Sequence, residues 1–168
     1  MLTLQTPRLI LRRLTPEDKP SLYALLGNPD TMRWYPRPWT PEEIDRWLDR
    51  QFAMYPNGSG KFAVTLRTAG EFIGDCGPTW FDVDGVQELE IGYRLLPQHW
   101  ARGYATEAAA AVLSYVRDTL QKPNPISLIR PGNLASRRVA EKIGAQLEKT
   151  TLWRDYDHCV YRYSSPKP

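Results

Sequence analysis

Apolar and polar residues alternate along several short segments of this chain, and a two-residue period is typical of β-strands. Other segments are short apolar runs bounded by turn residues, which are also typical of strands. Together these patterns predict seven strands: Arg8–Leu14, Lys61–Leu66, Glu71–Trp80, Val86–Leu96, Ile126–Arg130, Leu147–Leu152 and His158–Tyr163. The dipeptide Asp84-Gly85 predicts a hairpin between the third and fourth of them.

Helical signals occur between these strands. Thr15 and Thr40 each precede a proline and acidic residues, which is a typical way for a helix to begin. Helices are predicted from Thr15 to about Gly27, from Thr40 through Phe52, over Thr106–Leu120 and over Asn133–Ile143. The resulting order, β-α-α-β-β-β-α-β-α-β-β, predicts an α/β (α+β) fold. At 168 residues we expect a single domain, residues 1–168.

Composition and charge narrow the function classes. Hydrophobic residues make up 42% and charged residues 24%, which are ordinary globular values. The net charge of +3 suits an anionic ligand, but no run of basic residues exceeds two, so a nucleic-acid surface is not expected. A basic nucleic-acid-binding domain remains a third hypothesis because the isoelectric point is about 8.9.

The chain lacks signals for membranes and metals. No apolar run approaches the roughly 18 residues that a membrane span needs, and the N-terminus does not resemble a signal peptide. We therefore expect a cytoplasmic protein with no membrane partner. Cys76 and Cys159 are expected to be buried thiols, and His99 and His158 to be structural. No cluster predicts a metal site.

The segment Trp100–Ala108, WARGYATEA, lies between a predicted strand and a predicted helix. Such a turn can leave backbone N–H groups unpaired beside the positive end of the helix dipole, which suits a phosphate. Gly103 has no Cβ and allows close approach. A plain turn is the alternative. The Walker motif and the G-x-G-x-x-G fingerprint are both absent, so those two nucleotide loops are excluded.

The residues Trp100–Ala105 resemble the acetyl-CoA pyrophosphate loop of the GNAT acetyltransferase superfamily, written Q/R-x-x-G-x-G/A. Gly103 and Ala105 match this pattern, whereas Trp100 stands where Gln or Arg is usual. The segments Thr6–Asp18 and Asn133–Ala145 also resemble the branch that includes the ribosomal-protein N-terminal alanine acetyltransferases. The resemblance therefore spans nearly the whole chain.

This resemblance implies a GNAT fold: a mixed, mostly antiparallel sheet of about seven strands, flanked by about four helices, with a splayed central pair of strands. It implies acetyl-CoA as co-substrate and no metal. The residues implied in binding it are Leu95, Arg102, Gly103, Tyr104, Ala105, Thr106, Asn133 and Ser136. Asn133 equally suits a helix N-cap. Arg137 and Arg138 could reach the 3′-phosphate or lie on a solvated helix face.

Two catalytic candidates follow from the resemblance, Glu90 and Ser136. Glu90 would act as general base through water, and the alternative is a solvent-facing partner of Arg94, which shares its face of the strand. Many family members carry a proton-donating Tyr seven residues after Asn133, where this chain has Ala140. Ser136, or a water that it holds, is the remaining acid, and a plain polar residue in the first helical turn is the alternative.

Seven aromatic residues are candidates for the acceptor side: Trp34, Tyr35, Trp39, Trp80, Phe81, Trp153 and Tyr156. We therefore expect an N-acetyltransferase that moves the acetyl group directly to a primary amine, on a protein N-terminus or a small molecule. The missing Tyr at Ala140 supports one alternative, a non-catalytic acyl-CoA-binding sensor or scaffold. A homodimer is a candidate assembly for this chain.

Overall fold

A computed structural model describes residues 2–164, which form an eight-stranded sheet and four α-helices. The strands are β1 (Thr3–Gln5), β2 (Leu9–Arg13), β3 (Phe62–Leu66), β4 (Phe72–Val83), β5 (Val86–Leu95), β6 (Ile126–Ile129), β7 (Gln146–Trp153) and β8 (Tyr156–Arg162). Their spatial order is β1-β2-β3-β4-β5-β6-β8-β7. Every neighbouring pair is antiparallel except β5 and β6, which are parallel.

The helices lie close to the predicted positions, although the first begins at Lys19 rather than at Thr15, because residues 16–18 form a 3-10 turn. They are α1 (Lys19–Leu26), α2 (Pro41–Met54), α3 (Tyr104–Asp118) and α4 (Leu134–Lys142). A capping box starts α2, because the Thr40 hydroxyl accepts a bond from the Glu43 N–H and the Glu43 carboxylate accepts one from the Thr40 N–H. No helix among residues 2–164 is long and apolar enough to cross a membrane.

The predicted fold class is confirmed, with two further differences in detail. The strand β1 was not predicted, because three residues are too few to display an alternating pattern; it pairs with β2 and brings the count to eight rather than about seven. The helix α3 begins at Tyr104 instead of Thr106. Gly103, with φ of +80°, is its N-cap, so the helix starts directly at the glycine turn.

The helices pack in two groups, and each group covers its own apolar cluster. One cluster joins the sheet to α3 and α4 and includes Leu9, Leu11, Val64, Ile91, Val112, Val116 and Tyr161. The other joins α1 and α2 to the sheet and includes Leu22, Leu25, Leu26, Ile44, Trp47 and Leu48. Burying each such side chain contributes roughly 1.5–3 kcal/mol. Cys76 and Cys159 are free thiols and lie buried, as predicted.

Candidate functional site

The central feature of the sheet is a split between β5 and β6. These strands are paired only at Glu90 and Ile126, although β5 stays paired with β4 along its whole length. Just past the split, the Ser127 hydroxyl donates to the Ile91 carbonyl at 2.6 Å. Because the peptide groups of a strand alternate in direction, the peptide groups of Tyr93 and Leu95 then face the open gap. This is the splayed pair that the family resemblance implied.

The residue at the unusual motif position, Trp100, closes one end of this open strand. Its indole N–H donates to the Leu95 carbonyl at 2.8 Å. The Leu95 carbonyl therefore has a partner within the chain, and its N–H is the group that faces the gap. A Trp in place of Gln or Arg thus has a structural role, because it satisfies a carbonyl that would otherwise be orphaned.

The turn before α3 has the backbone shape of an anion site. Ala101 and Gly103 both have positive φ, +57° and +80°, and the first helical bond runs from the Glu107 N–H to the Gly103 carbonyl. The N–H groups of residues 104–106 are therefore left without intrahelical acceptors. Arg8 fixes the turn from outside, because it donates to the Arg102 carbonyl at 2.9 Å. Arg102 through Thr106, the residues predicted to hold a pyrophosphate, are together at this helix start.

The N-terminal segment is attached to the same turn through Glu107. This carboxylate accepts bonds from the Thr6 hydroxyl at 2.6 Å, the Arg8 N–H at 2.8 Å and the Arg8 Nε at 2.7 Å. Burial alone would raise the pKa of Glu107, but the bonds from Thr6 and Arg8 outweigh it and lower the pKa. The Thr-Pro-Arg segment near the N-terminus is thus bonded to the first turn of α3.

Glu90 lies at the split itself and is 8% exposed. The alternative of a solvent-facing partner of Arg94 is therefore wrong. The neighbour of Glu90 is Lys61, whose Nζ lies 3.4 Å from the carboxylate and donates to the Gly77 carbonyl at 2.8 Å. Arg94 instead forms a buried bidentate pair with Asp75, at 2.6 and 3.1 Å.

Gly92 makes room for the Glu90 carboxylate on the sheet surface, whereas Gly77 makes room for the backbone of Gly60 and Lys61. Gly77 and Gly92 are cross-strand partners. A Cβ on Gly92 would lie 2.6 Å from the Lys61 Nζ and 2.8 Å from both carboxylate oxygens of Glu90. Thr79 is the cross-strand partner of Glu90, and its buried hydroxyl has no hydrogen-bond partner among residues 2–164. A polar group without a partner beside a carboxylate suits a water or a substrate amine.

The start of α4 lies on the other side of the gap. Asn133 is its N-cap, with its side-chain oxygen accepting a bond from the Ser136 N–H at 3.2 Å. Tyr93 reaches across from β5 and donates to the Ser136 carbonyl at 2.8 Å. Ala140 is fully buried in the core. Tyr93 was not among the predicted site residues, since strand alternation alone does not reveal a partner 43 residues away.

Arg137 and Arg138 have different surroundings. The Arg137 side chain donates to the Tyr161 hydroxyl at 2.9 Å and to the Pro131 carbonyl at 3.1 Å. The bond to Tyr161 is the main reason that the pKa of Arg137 is raised. Arg138 is exposed. Arg138 is therefore the freer of the two arginines.

The aromatic loop before α2, residues 32–39, lies over the face of the sheet opposite to α3 and α4. The rings of Tyr35 and Trp39 in this loop and of Trp47 in α2 surround the Arg94 guanidinium, at 5.8, 5.5 and 5.1 Å from their centroids. Arg94 and Glu90 lie four residues apart on this face of β5, so the loop borders the surface formed by Glu90, Gly92 and Thr79, which we call the Glu90 surface.

The remaining aromatic candidates divide between the two faces. Phe81 packs on Trp153 at 4.9 Å between centroids, two residues along β4 from Thr79. Trp80 points to the other face of β4 by alternation, is 37% exposed and lies 5.7 Å from the Lys122 Nζ. Phe81 and Trp153 therefore lie beside the Glu90 surface, whereas Trp80 lies on the other face of the sheet.

Comparison with known proteins agrees with this geometry. A family model described as the acetyltransferase (GNAT) domain matches residues 8–146. The uncharacterised protein YkkB of Bacillus subtilis is 37% identical over 164 residues, which cover 96% of this chain and 95% of YkkB. The crystal structure of an acetyltransferase from Agrobacterium tumefaciens superposes with a TM-score of 0.85 at 31% identity, covering 98% of this chain and 95% of that one.

A more distant structure shares the fold. It is described as RimL, a ribosomal L7/L12 α-N-protein acetyltransferase in complex with coenzyme A. It superposes with a TM-score of 0.82 at 16% identity and covers 98% of both chains.

Proposed function

The chain is an N-acetyltransferase of the GNAT family, and from that premise we propose that it transfers acetyl directly from acetyl-CoA to a primary amine. The observation that carries this proposal is the open edge of β5 beside the helix start at Gly103. A pantetheine arm needs exposed peptide groups, and a pyrophosphate needs free N–H groups. The exposed peptide groups of β5 and the free N–H groups at the start of α3 lie at the same end of the gap.

In this proposal the backbone N–H groups of residues 103–106, with Arg102 beside them, bind the pyrophosphate. The Leu95 N–H and the Tyr93 peptide group bind the pantetheine amides as a neighbouring strand would. Asn133 and Ser136 contact the arm from α4. The RimL structure with coenzyme A supports this choice of donor, since the two folds superpose.

The transfer itself joins the amine nitrogen to the acetyl carbonyl carbon, and the bond between that carbon and sulfur breaks. A backbone N–H near Leu95 stabilises the oxyanion that forms. Glu90 takes the proton lost by the amine, directly or through a water at the Thr79 hydroxyl. The leaving thiolate takes a proton from Ser136 or from water.

The need for Glu90 depends on the acceptor. The α-amine of a protein N-terminus has a pKa near 7.8, so roughly a quarter is neutral at pH 7.4. An alkyl amine near 10.4 is neutral to about one part in a thousand, which amounts to about 3.5 kcal/mol more in deprotonation. An enzyme for α-amines therefore depends less on its base. A protein N-terminus, as for RimL, and a small amine are both acceptors of this chemistry.

Donor binding is tested by thermal unfolding with acetyl-CoA, coenzyme A and ATP. A ligand at about 100 times its Kd adds roughly 2.7 kcal/mol, which for this size raises Tm by roughly 5–11 °C. We expect the rise with acetyl-CoA and coenzyme A and not with ATP. The absence of any rise at millimolar acetyl-CoA would refute the proposed donor.

A matched pair of glycine variants locates the binding. Gly103 and Gly85 have nearly equal φ, +80° and +78°, so alanine strains both backbones similarly. Gly103→Ala should lose the shift produced by coenzyme A, whereas Gly85→Ala, in the β4–β5 hairpin, should keep it. Equal shifts in the two variants would contradict a pyrophosphate at Gly103.

Turnover separates the enzyme from the sensor alternative that Ala140 suggests. Release of free thiol from acetyl-CoA is followed with a panel of amines, in the parent chain and in Glu90→Gln. Glu88→Gln, two residues away on the same face and paired with Arg162, is the control. We expect Glu90→Gln to lower kcat/KM more for alkyl amines than for α-amines. An unchanged kcat/KM from pH 6 to 9 would remove Glu90 as base.

A further inference from the structure

We propose that the amine acceptor also carries a carboxylate, as a free amino acid does, and that Arg154 and Arg130 bind this carboxylate. The inference rests on the proposed function, because it concerns the acceptor of the same reaction. It adds the charge of that acceptor and the residues that recognise it.

Arg154 is a guanidinium with unused donors beside the Glu90 surface. It lies in the turn between β7 and β8, with its Cζ 5.0 Å from the centroid of Phe81 and 4.3 Å from that of Trp153. No hydrogen bond or ion pair joins it to any residue in the described range 2–164. The five N–H donors of an arginine match a carboxylate in bidentate geometry. Arg154 is therefore oriented by the rings and available for an anion.

Arg130 is a second guanidinium without an acidic partner among the described residues. It follows β6, and its Cζ lies 4.1 Å over the Tyr156 ring. It donates to the Trp34 carbonyl at 3.3 Å, so the aromatic loop before α2 helps to position it. A neutral carbonyl does not balance the positive charge, and the remaining donors of Arg130 can bind an anion.

The two arginines share one neighbourhood, because Arg130 stacks on Tyr156 and Arg154 on Trp153, and these two aromatic residues are paired across β8 and β7. Partial burial is the largest effect that lowers the pKa of His158, and the charges of Arg130 and Arg154 lower it further. The His158 ring also packs against Trp153 at 5.3 Å. Partial desolvation lowers the pKa of Arg154, and the nearby charge of Glu90 opposes this. The Trp153 ring thus contacts both Arg154 and His158.

The acids of this region do not neutralise the pair. Glu90 lies against Lys61, and Asp75 is bonded to Arg94. Asp155 and Asp157, beside Arg154 in the chain, form no ion pair with either arginine within residues 2–164. An acceptor with several positive charges would be repelled here. An amine with a carboxylate can direct its nitrogen to Glu90 and Thr79 and its carboxylate to Arg154.

The test compares amino acids with their amides, which differ only in the carboxylate. Phenylalanine, leucine and methionine are each assayed against phenylalaninamide, leucinamide and methioninamide by release of free thiol from acetyl-CoA. The amine of an amide is the weaker base, so more of it is neutral and simple reactivity favours the amide. A preference for the acid therefore comes from the protein. We expect kcat/KM at least tenfold higher for at least one acid than for its amide.

Two variants assign that preference to residues. Arg154→Gln and Arg130→Gln should each reduce the acid-over-amide ratio by about tenfold, mainly through KM, because each removes charge-assisted bonds. Arg67→Gln, an exposed arginine after β3, is the control and should keep the ratio. The Tm shift with coenzyme A should be unchanged in Arg154→Gln and Arg130→Gln, which excludes the alternative that these arginines bind the donor.

The outcomes separate this inference from the proposed function. Acetylation of amides as efficiently as acids, or a ratio unchanged in both arginine variants, would overturn the carboxylate and leave the acetyltransfer intact. Loss of the coenzyme A shift in Arg154→Gln would overturn it as well, because the arginine would then serve the donor. Binding of acetyl-CoA without turnover of any amine would overturn the proposed function and this inference together.

Discussion

The buried pair of Arg94 and Asp75 gives the sharpest test of how this fold supports its acceptor surface. Asp75 is fully buried and Arg94 is 9% exposed, and two bonds of 2.6 and 3.1 Å join them. Burial would lower the pKa of Arg94, but Asp75 outweighs this and raises it. The Arg94 guanidinium therefore remains charged in the folded protein, and within residues 2–164 no other hydrogen bond or ion pair joins either side chain to a residue that could replace its partner.

Replacing Arg94 by Met leaves the Asp75 carboxylate buried without its partner. Removal of one member of a buried pair costs about 3–5 kcal/mol, which for a chain of this size lowers Tm by roughly 6–20 °C. The double variant Arg94→Met/Asp75→Leu removes both charges and should recover about 2 kcal/mol or more of that loss. The free energies of unfolding are measured at pH 7 by urea denaturation.

An exposed pair of the same chemistry is the control. Arg37 and Glu43 are also bidentate, at 2.7 and 2.8 Å, but the Arg37 side chain is 59% exposed. Arg37→Met should cost less than about 1 kcal/mol. The reasoning is refuted if Arg94→Met and Arg37→Met cost the same, or if the double variant loses the sum of the two single losses at positions 94 and 75.

Three further predictions concern the site. Gly92→Ala should lower kcat by tenfold or more in the thiol-release assay while coenzyme A still raises Tm, because its Cβ would displace the Glu90 carboxylate. Trp100→Phe removes the donor to the Leu95 carbonyl and should lower unfolding free energy by about 1–3 kcal/mol in urea, with a raised KM for acetyl-CoA. Glu107 has a lowered pKa, so its stabilisation is present above its unfolded value near 4.5 and is lost as pH falls through the folded value; Glu107→Gln should flatten that part of the urea stability profile.

Much of the fold could be predicted because local signals and tertiary packing agree. The Thr40 start of α2, the Asp84-Gly85 hairpin and the glycine turn at Gly103 each have a local cause that needs no distant partner. The strand β1 depends on pairing with β2, and its three residues give no periodic signal of their own. This is why β1 was not predicted.

The site was harder to predict, because its contacts join residues that are far apart in sequence. Alternation placed Glu90 and Arg94 on one face of β5, but it did not show which helices cover that face. The partners of these two residues, Lys61 and Asp75, lie 29 and 19 positions away. Sequence therefore predicted the residue types of the site and their order, and the structure was needed for the pairing.

The pair of Glu90 and Lys61 bears on the choice between an enzyme and a sensor. Each side chain is about 10% exposed, and their single contact of 3.4 Å is long for an ion pair. Desolvation of each ion costs several kcal/mol, and the attraction across a single contact of this length offsets little of that cost. A module that only binds acyl-CoA needs the turn at Gly103 and the open edge of β5, and neither requires a buried carboxylate. A role as proton acceptor beside the reacting amine explains why a carboxylate is buried here, and the adjacent Thr79 hydroxyl, which has no hydrogen-bond partner among residues 2–164, supports the same choice.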